Sequence, residues 1–188
     1  MKDPAFIQEM FSKAREAGEK VQQSFAALTY DQLNWKPAAD AWSIGQCLDH
    51  LVVSDSLYFP AFKRITSGNF RMNWWQNWNP FSNLFAKMLI TSTGERVNKK
   101  LKSPRVFTPT ASDVLAGMVQ NYQANLDKLT NYISECRNTD IDKVQITSPV
   151  SRVITYSLRS AITILVHHEH RHVNQAIKVM MTPGFPGA

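Results

Sequence analysis

Val166 to Gln175 reads V-H-H-E-H-R-H-V-N-Q, and it holds four of the five histidines of the chain; the fifth, His50, lies far upstream. At about 100° per residue, side chains four apart stand one above the other on a helix. His168 and His172 have that spacing, and Gln175 continues their face one turn on. His167 is displaced from His168 by about 100° and His170 by about 200°, so neither points the same way. Two imidazoles at i and i+4 form a clip for a transition metal, the spacing that holds zinc in the zincin helix. H-E-H-R-H is not the zincin motif, because it carries an extra histidine. A clip of two remains open to a plainer reading, a polar helix face with solvated histidines, unless a third ligand converges on it.

Working outward, the apolar pattern supplies helices on both sides of that clip. The last helix is expected over roughly Tyr156 to Met181, with Leu158, Ile162, Leu165 and Val166 ahead of the histidines and Pro183-Gly184 as its stop. The first opens on Asp3 as N-cap with Pro4 in the first turn. Phe6, Met10, Ala14, Ala17, Val21, Phe25 and Leu28 then recur at helical steps. A second begins at Ser43, whose pairing with Gln46 is a capping box, with Trp42 as its hydrophobic staple. This helix carries Ile44, Leu48, Leu51, Val52 and Phe59 towards Ser67-Gly68-Asn69, and Pro60 kinks or ends it. The third is expected after T-P-T-A-S-D (Thr108 to Asp113), where Thr110 and Asp113 suggest a cap; Leu115, Met118, Val119, Tyr122, Leu126, Leu129 and Ile133 make its stripe.

Four amphipathic helices and no strand pattern indicate an all-α four-helix bundle, one domain over residues 1–188. Residues 69–109 form the long connection between the second and third helices. That length lets the chain cross the bundle, leaving helices two and three parallel and helix four antiparallel to both. His50 then lies ~10 Å from the start of its helix and the histidine pair ~16 Å from the end of the last. Those two ends are together, so His50, His168 and His172 fall at similar depth and make a three-imidazole ligand set.

The connection is rich in aromatics: Trp74, Trp75, Trp78, Phe81 and Phe85, with a short amphipathic helix expected near Pro80 to Leu89. Such rings cover a core or fill a homodimer seam; a lid over the site is the alternative. Net charge is +6, and Arg96, Lys99, Lys100, Lys102 and Arg105 fall in one stretch. Without interleaved stacking rings or a recognition helix, these cations suit a solvated loop rather than a nucleic-acid surface. Contact with an anionic small molecule is the lesser reading. Cys47 and Cys136 make no disulfide framework. The N-terminal stretch has no signal-peptide pattern, and no apolar run approaches the roughly 20 residues that span a bilayer. A cytoplasmic protein with a small-molecule substrate, and with neither nucleic acid nor membrane as partner, is the expectation.

W-S-I-G-Q-C-L-D-H-L around His50 and H-E-H-R-H-V-N-Q around the pair resemble the two signatures of the DinB-like (YfiT-like) superfamily. K-S-P-R-V-F-T-P before the third helix is similar to that family's lead-in, and the resemblance covers the chain apart from the Trp-rich stretch. It implies a bundle in up-down-down-up order with a metal held by His50, His168 and His172. It also implies, for several relatives, transfer of a low-molecular-weight thiol such as bacillithiol or mycothiol to electrophiles; others are described as metal-dependent hydrolases.

Three neutral imidazoles with open positions fit a catalytic ion that activates water or a thiol. Zinc and nickel come first, with iron and copper also suited to imidazole. The leading expectation is a metal-dependent thiol S-transferase acting on small electrophiles. A hydrolase of the same fold, or a non-catalytic metal-binding or sensor bundle, stands beside it; the latter needs no substrate pocket. A metal-free interaction bundle would leave the three histidines without a purpose. Gln46, Ser54 and Gln175 lie near the ligand faces and are candidates to accept the free N–H of the ligands, with the simple capping of polar positions as the alternative. Glu169 and Asp49 point elsewhere and neither is named as general base. Cys47 is read as a small buried cysteine, with a thiol ligand as the alternative, and His167 and His170 as surface or supporting residues.

Overall fold

The computed structural model describes residues 2–93 and 107–187, and is mostly helical with one small two-stranded sheet. Its helices are α1 (Pro4–Phe25), α2 (Tyr30–Asn34), α3 (Ile44–Ser56), α4 (Phe59–Thr66), α5 (Trp74–Trp78), α6 (Ser82–Thr93), α7 (Met118–Glu135) and α8 (Leu158–Met180). Strands β1 (Gln145–Thr147) and β2 (Thr155–Ser157) lie between α7 and α8. Among the long helices, α3 packs on α7 and α8, and α1 packs on the same two. The basic stretch from Arg96 to Arg105 lies outside the described residues.

Helix α1 starts where the sequence places it: the Asp3 carboxylate accepts from the Phe6 amide at 3.0 Å, with Pro4 in the first turn. Ile7, Met10, Ala14, Ala17, Val21 and Phe25 form its buried stripe. Phe6, expected in that stripe, is instead half-buried beneath the Arg159 guanidinium, 4.4 Å from its ring centre. Arg159 also reaches Asp3 at 2.9 Å and Asp142 at 2.6 Å, so three separate segments meet at the first turn of α8.

The second predicted helix is two helices. Its Ser43–Gln46 capping box forms as read, but the helix ends at Ser56, and Tyr58 turns the chain into α4 with Pro60 in its first turn. Proline lacks an N–H and clashes with the preceding turn, so it sits where a helix begins rather than inside one. The break also lets the Tyr58 hydroxyl meet that of Tyr156 at 2.7 Å inside the core.

Three features depart from the expected helices. The link after α1 contains α2, started by a Thr29–Gln32 capping box; five residues are too few to show an apolar period. Helix α7 begins at Met118, not near Asp113, and Leu115 is 85% exposed. Thr110 is not its cap, because its amide and hydroxyl both go to the Asp49 carboxylate, at 2.5 and 2.8 Å. Ala111 accepts from Gln46, and the Val114 and Asn34 groups bond reciprocally, so residues 110–114 are held against α2 and α3. Gly45 permits that approach: a Cβ there would overlap a Val114 methyl and lie 3.1 Å from the Leu33 carbonyl.

The third departure is the sheet. Gln145 pairs with Ser157, Ile146 with Tyr156 and Thr147 with Thr155, antiparallel. Tyr156, assigned from sequence to the last helix, is therefore a fully buried strand residue. Helix α8 starts after it, with the Ser157 hydroxyl accepting from Ser160 at 3.1 Å. Three-residue strands carry too little alternation to be read from sequence.

The Trp-rich stretch forms α5 and α6, which pack on the hairpin and on α8. Trp75 donates its indole N–H to the Val153 carbonyl at 2.9 Å, and Ala86 is buried. Trp74 and Trp78 remain largely exposed.

Candidate metal centre

Helix α3 carries His50 and α8 carries His168 and His172, and these two helices pack on each other. One ligand atom from each imidazole lies within 4.8 Å of the others. The ring centres are 4.8 Å apart for His50–His168, 4.4 Å for His50–His172 and 4.5 Å for His168–His172. All three pairs are steeply inclined, at 67–75°, so the rings meet around a point and do not stack. His50 and His172 are buried, and His168 is half-buried at the rim.

A hydrogen bond to the backbone fixes the tautomer of His50. His50 Nδ1 lies against the Phe107 carbonyl, which can only accept, so the proton is on Nδ1 and Nε2 carries a lone pair. That Nε2 is 3.1 Å from Nε2 of His168. His172 Nδ1 is buried with no hydrogen-bond partner among the described residues. An orphaned imidazole nitrogen beside two converging ones is the signature of a site that a cation completes. The residues fit a divalent ion with nitrogen ligands, and this trio can hold one.

Burial is the main reason all three imidazoles stay neutral. It pushes His50 below its ordinary value of 6.5, against the Phe107 carbonyl and Asp49, which pull it back up. His168 and His172 are pushed well below 6.5, by burial first and then by neighbouring histidines and Arg171. Gln175, one turn beyond His172, acts weakly in the other direction.

The structure sets the remaining candidates apart. Gln46 is spent on the cap of α3, its oxygen accepting from the Ser43 amide and its nitrogen donating to Ala111. The Ser54 hydroxyl is buried with no partner among the described residues, and it takes no proton from a ligand ring. His50 is oriented instead by the carbonyl of Phe107. No sequence pattern marks a backbone carbonyl, although the Asp49–Thr110 bonds that bring Phe107 there involve a residue adjacent to the ligand. Trp42, read as a staple, also walls the site: its ring lies 4.9 Å from His50 and 5.8 Å from His172, the latter stacked at 29°.

His170 is buried and bonds the Lys13 carbonyl at 2.8 Å, tying α8 to α1. Cys47 lies in the core with its thiol pushed up to about 12 by burial, and it is not among the residues that converge at the histidine cluster. A groove of about 350 Å³ beside α5 and the hairpin, lined by residues including Met72, Asn79 and Asp142, contains none of the three histidines.

Beside the three histidines lies a buried carboxyl pair. Glu169 accepts from the Tyr122 hydroxyl at 2.5 Å, and Asp55 accepts from the Asn125 amide at 2.9 Å. Burial raises Glu169 to about 7 and Asp55 well above its ordinary range, the latter with repulsion from Glu169 added. Asp55 Oδ1 and Glu169 Oε1 have no donor of their own, so one proton shared between the two carboxyls satisfies both.

These shifts set the acid limit of the metal-free protein. An imidazole whose folded pKa is below 6.5 contributes stability that is complete above 6.5 and is lost as pH falls from there to the folded value. Glu169 acts oppositely, its contribution fading as pH rises from 4.5 to about 7. Asp55, also raised, acts in the same sense as Glu169. The three imidazoles outnumber these two carboxyls, so the melting temperature of the chelated protein is expected to drop as pH is taken below 6.5, and metal to dissociate over the same range. Thermal melts across that window check this; a flat profile contradicts it.

The chain is 27% identical over 162 residues to the uncharacterized protein YuaE of Bacillus subtilis (strain 168), covering 85% of this chain and 90% of that one. No solved structure matches it. No described helix is long and apolar enough to cross a membrane. The sequence profile of the DinB superfamily matches residues 13–176, which include every histidine of the site and both helices that carry them, and the chain belongs to the DinB superfamily.

Proposed function

We propose that this protein is a divalent-metal-dependent enzyme that transfers a low-molecular-weight thiol, of the bacillithiol or mycothiol kind, to small electrophiles. Its scaffold is a four-helix bundle of α1, α3, α7 and α8 in up-down-down-up order, with His50, His168 and His172 as the metal ligands. The observation that carries the reading is the convergence of three neutral imidazoles with the His50 tautomer already set for ligation. Three protein ligands leave coordination positions open, as catalytic sites do and closed structural sites do not. Zinc or nickel suits this donor set best.

When bound, such an ion lowers the pKa of a thiol and holds it as thiolate. The protein's own contribution is positional. Phe107 and Asp49 orient His50, Trp42 walls the site and excludes water from one side, and half-buried His168 marks the side open to ligands. The thiol sulfur forms a bond to the electrophilic carbon as the leaving group departs with the bonding pair, and the thiol proton passes to solvent.

The test is conjugation of bacillithiol or mycothiol to monochlorobimane by zinc- or nickel-loaded protein. Conjugate formation that disappears on chelation and in His50→Ala is expected. Ester or amide hydrolysis by the loaded protein, without thiol consumption, would establish a hydrolase instead. Absence of both, with a large loss of melting temperature on chelation, would leave a structural clip between α3 and α8.

A further inference from the structure

The aromatics of α5 and α6 have no part in the histidine site, whose wall is Trp42. Trp74, Trp78, Phe81, Leu84 and Met88 are each between 53% and 71% exposed. Trp74 and Trp78 stack on one another at 6.2 Å and 15°, presenting a two-ring block. Phe81, Leu84 and Met88 follow at three- and four-residue steps along the start of α6, a single apolar stripe. Clusters of this kind on a soluble surface mark contacts, since isolated exposed apolar residues are ordinary but grouped ones are not.

Polar bonds hold the platform with its rings outward. Trp75 and Asn79 both donate to the Val153 carbonyl, at 2.9 and 3.1 Å, and Asn79 also reaches Thr155 at 2.9 Å. Gln76 donates to Thr147 at 3.1 Å, and Ser82 meets Thr155 at 2.8 Å. The buried faces of α5 and α6 are thus fastened to the hairpin, while the large rings opposite are left in water.

Charge decides what covers them. No acidic residue occurs between Asp55 and Glu95. Exposed cations border the platform: Arg71 ahead of α5, Lys87 between Leu84 and Met88, Lys143, and Arg152 beside Val153. Asp142, a described acid near this face, is paired with Arg159 at 2.6 Å. A second copy meeting this face through a two-fold axis would set cation against cation with no carboxylate to pair. Nucleic-acid bases would use the indoles but not the aliphatic stripe. An anionic lipid surface complements every part: indoles at the headgroup level, Leu84 and Met88 below it, lysine and arginine on the phosphates.

We infer that the exposed face of α5 and α6, with Trp74, Trp78, Phe81, Leu84 and Met88 at its centre, docks the protein on anionic membrane surfaces. It lies on the interface and does not span it, which departs from the expectation that a chain without a spanning stretch has no membrane partner. It does not depend on the metal reading.

The experiment is flotation of the full chain with vesicles of phosphatidylglycerol in phosphatidylcholine, against phosphatidylcholine alone, with tryptophan emission recorded. Wild type is expected to float with the anionic vesicles, to shift its emission to the blue, and to release as salt is raised. Trp74→Ser with Trp78→Ser should lower the bound fraction by about tenfold or more, at unchanged melting temperature. Should that variant fold poorly, Arg71→Glu with Lys87→Glu is expected to give the same loss. No binding to anionic vesicles, equal binding to neutral ones, or full binding by a folded variant overturns the proposal. So does a dimer in sedimentation, or binding of a single-stranded oligonucleotide, that needs the two tryptophans while vesicles are ignored.

Discussion

His168→Ala should purify with little or no metal where the wild type, reconstituted with zinc or nickel, holds about one ion per chain. The reason is the geometry of three. His168 Nε2 stands 3.1 Å from that of His50, and its ring makes steep contacts with both others. Removing it leaves two imidazoles on different helices, with water in place of the third. Outer partners of metal ligands are typically worth about 10–100-fold in affinity, and a ligand itself more. The change is not expected to unfold the protein: His168 is half-buried at the rim, and its loss leaves no buried charge behind. Elemental analysis with a circular dichroism melt separates the two effects. Metal content equal to wild type in a folded variant would remove His168 from the site. His172→Ala should lose metal as completely, but it also opens a gap beneath Trp42 and should cost stability in the metal-free protein as well.

Glu169→Ala is expected to give the largest loss of stability of any single change near the site, about 3 kcal/mol, with metal affinity changed far less than by a ligand substitution. Glu169 is fully buried, and its carboxylate receives the Tyr122 hydroxyl at 2.5 Å. Its removal strands that hydroxyl and leaves Asp55 without the group that shares its proton. Glu169→Gln is the control, because an amide keeps both an acceptor and a donor in the same volume. Chemical denaturation at neutral pH measures both, and a loss for Glu169→Gln as large as for Glu169→Ala would show that the carboxyl itself, and not its volume or hydrogen-bonding capacity, sets the value. The contrast with His168 matters for interpretation: neighbours in sequence, about 100° apart on the helix, they face the histidine cluster and the core respectively.

That division was legible in the residues. The i, i+4 spacing separates His168 and His172 from Glu169, His167 and His170 without any coordinates, because the helical repeat alone decides direction. Capping boxes at Ser43 and the Asp3-Pro4 start are local chemistry, made by residues three apart, and they form as read. Helices written in apolar periodicity were found for the same reason, since burial of one face is what the pattern records. What a local pattern does not contain was missed or misplaced: three-residue strands, the five-residue α2, and the late start of α7.

The start of α7 shows why. Thr110 and Asp113 have capping chemistry, yet Asp49 on another helix takes both donors of Thr110. A contact between residues distant in sequence outweighs a local preference whose value is near 1 kcal/mol. The same contact delivers the Phe107 carbonyl to His50, and a backbone oxygen leaves no mark in a sequence. The choice and spacing of the histidines, the helical class and the family signatures were therefore determined by the sequence itself. The tautomer of His50, the stacking of Trp42 and the shared proton of Asp55 and Glu169 were decided only by tertiary structure, because each depends on desolvation and on partners that folding brings together from far along the chain.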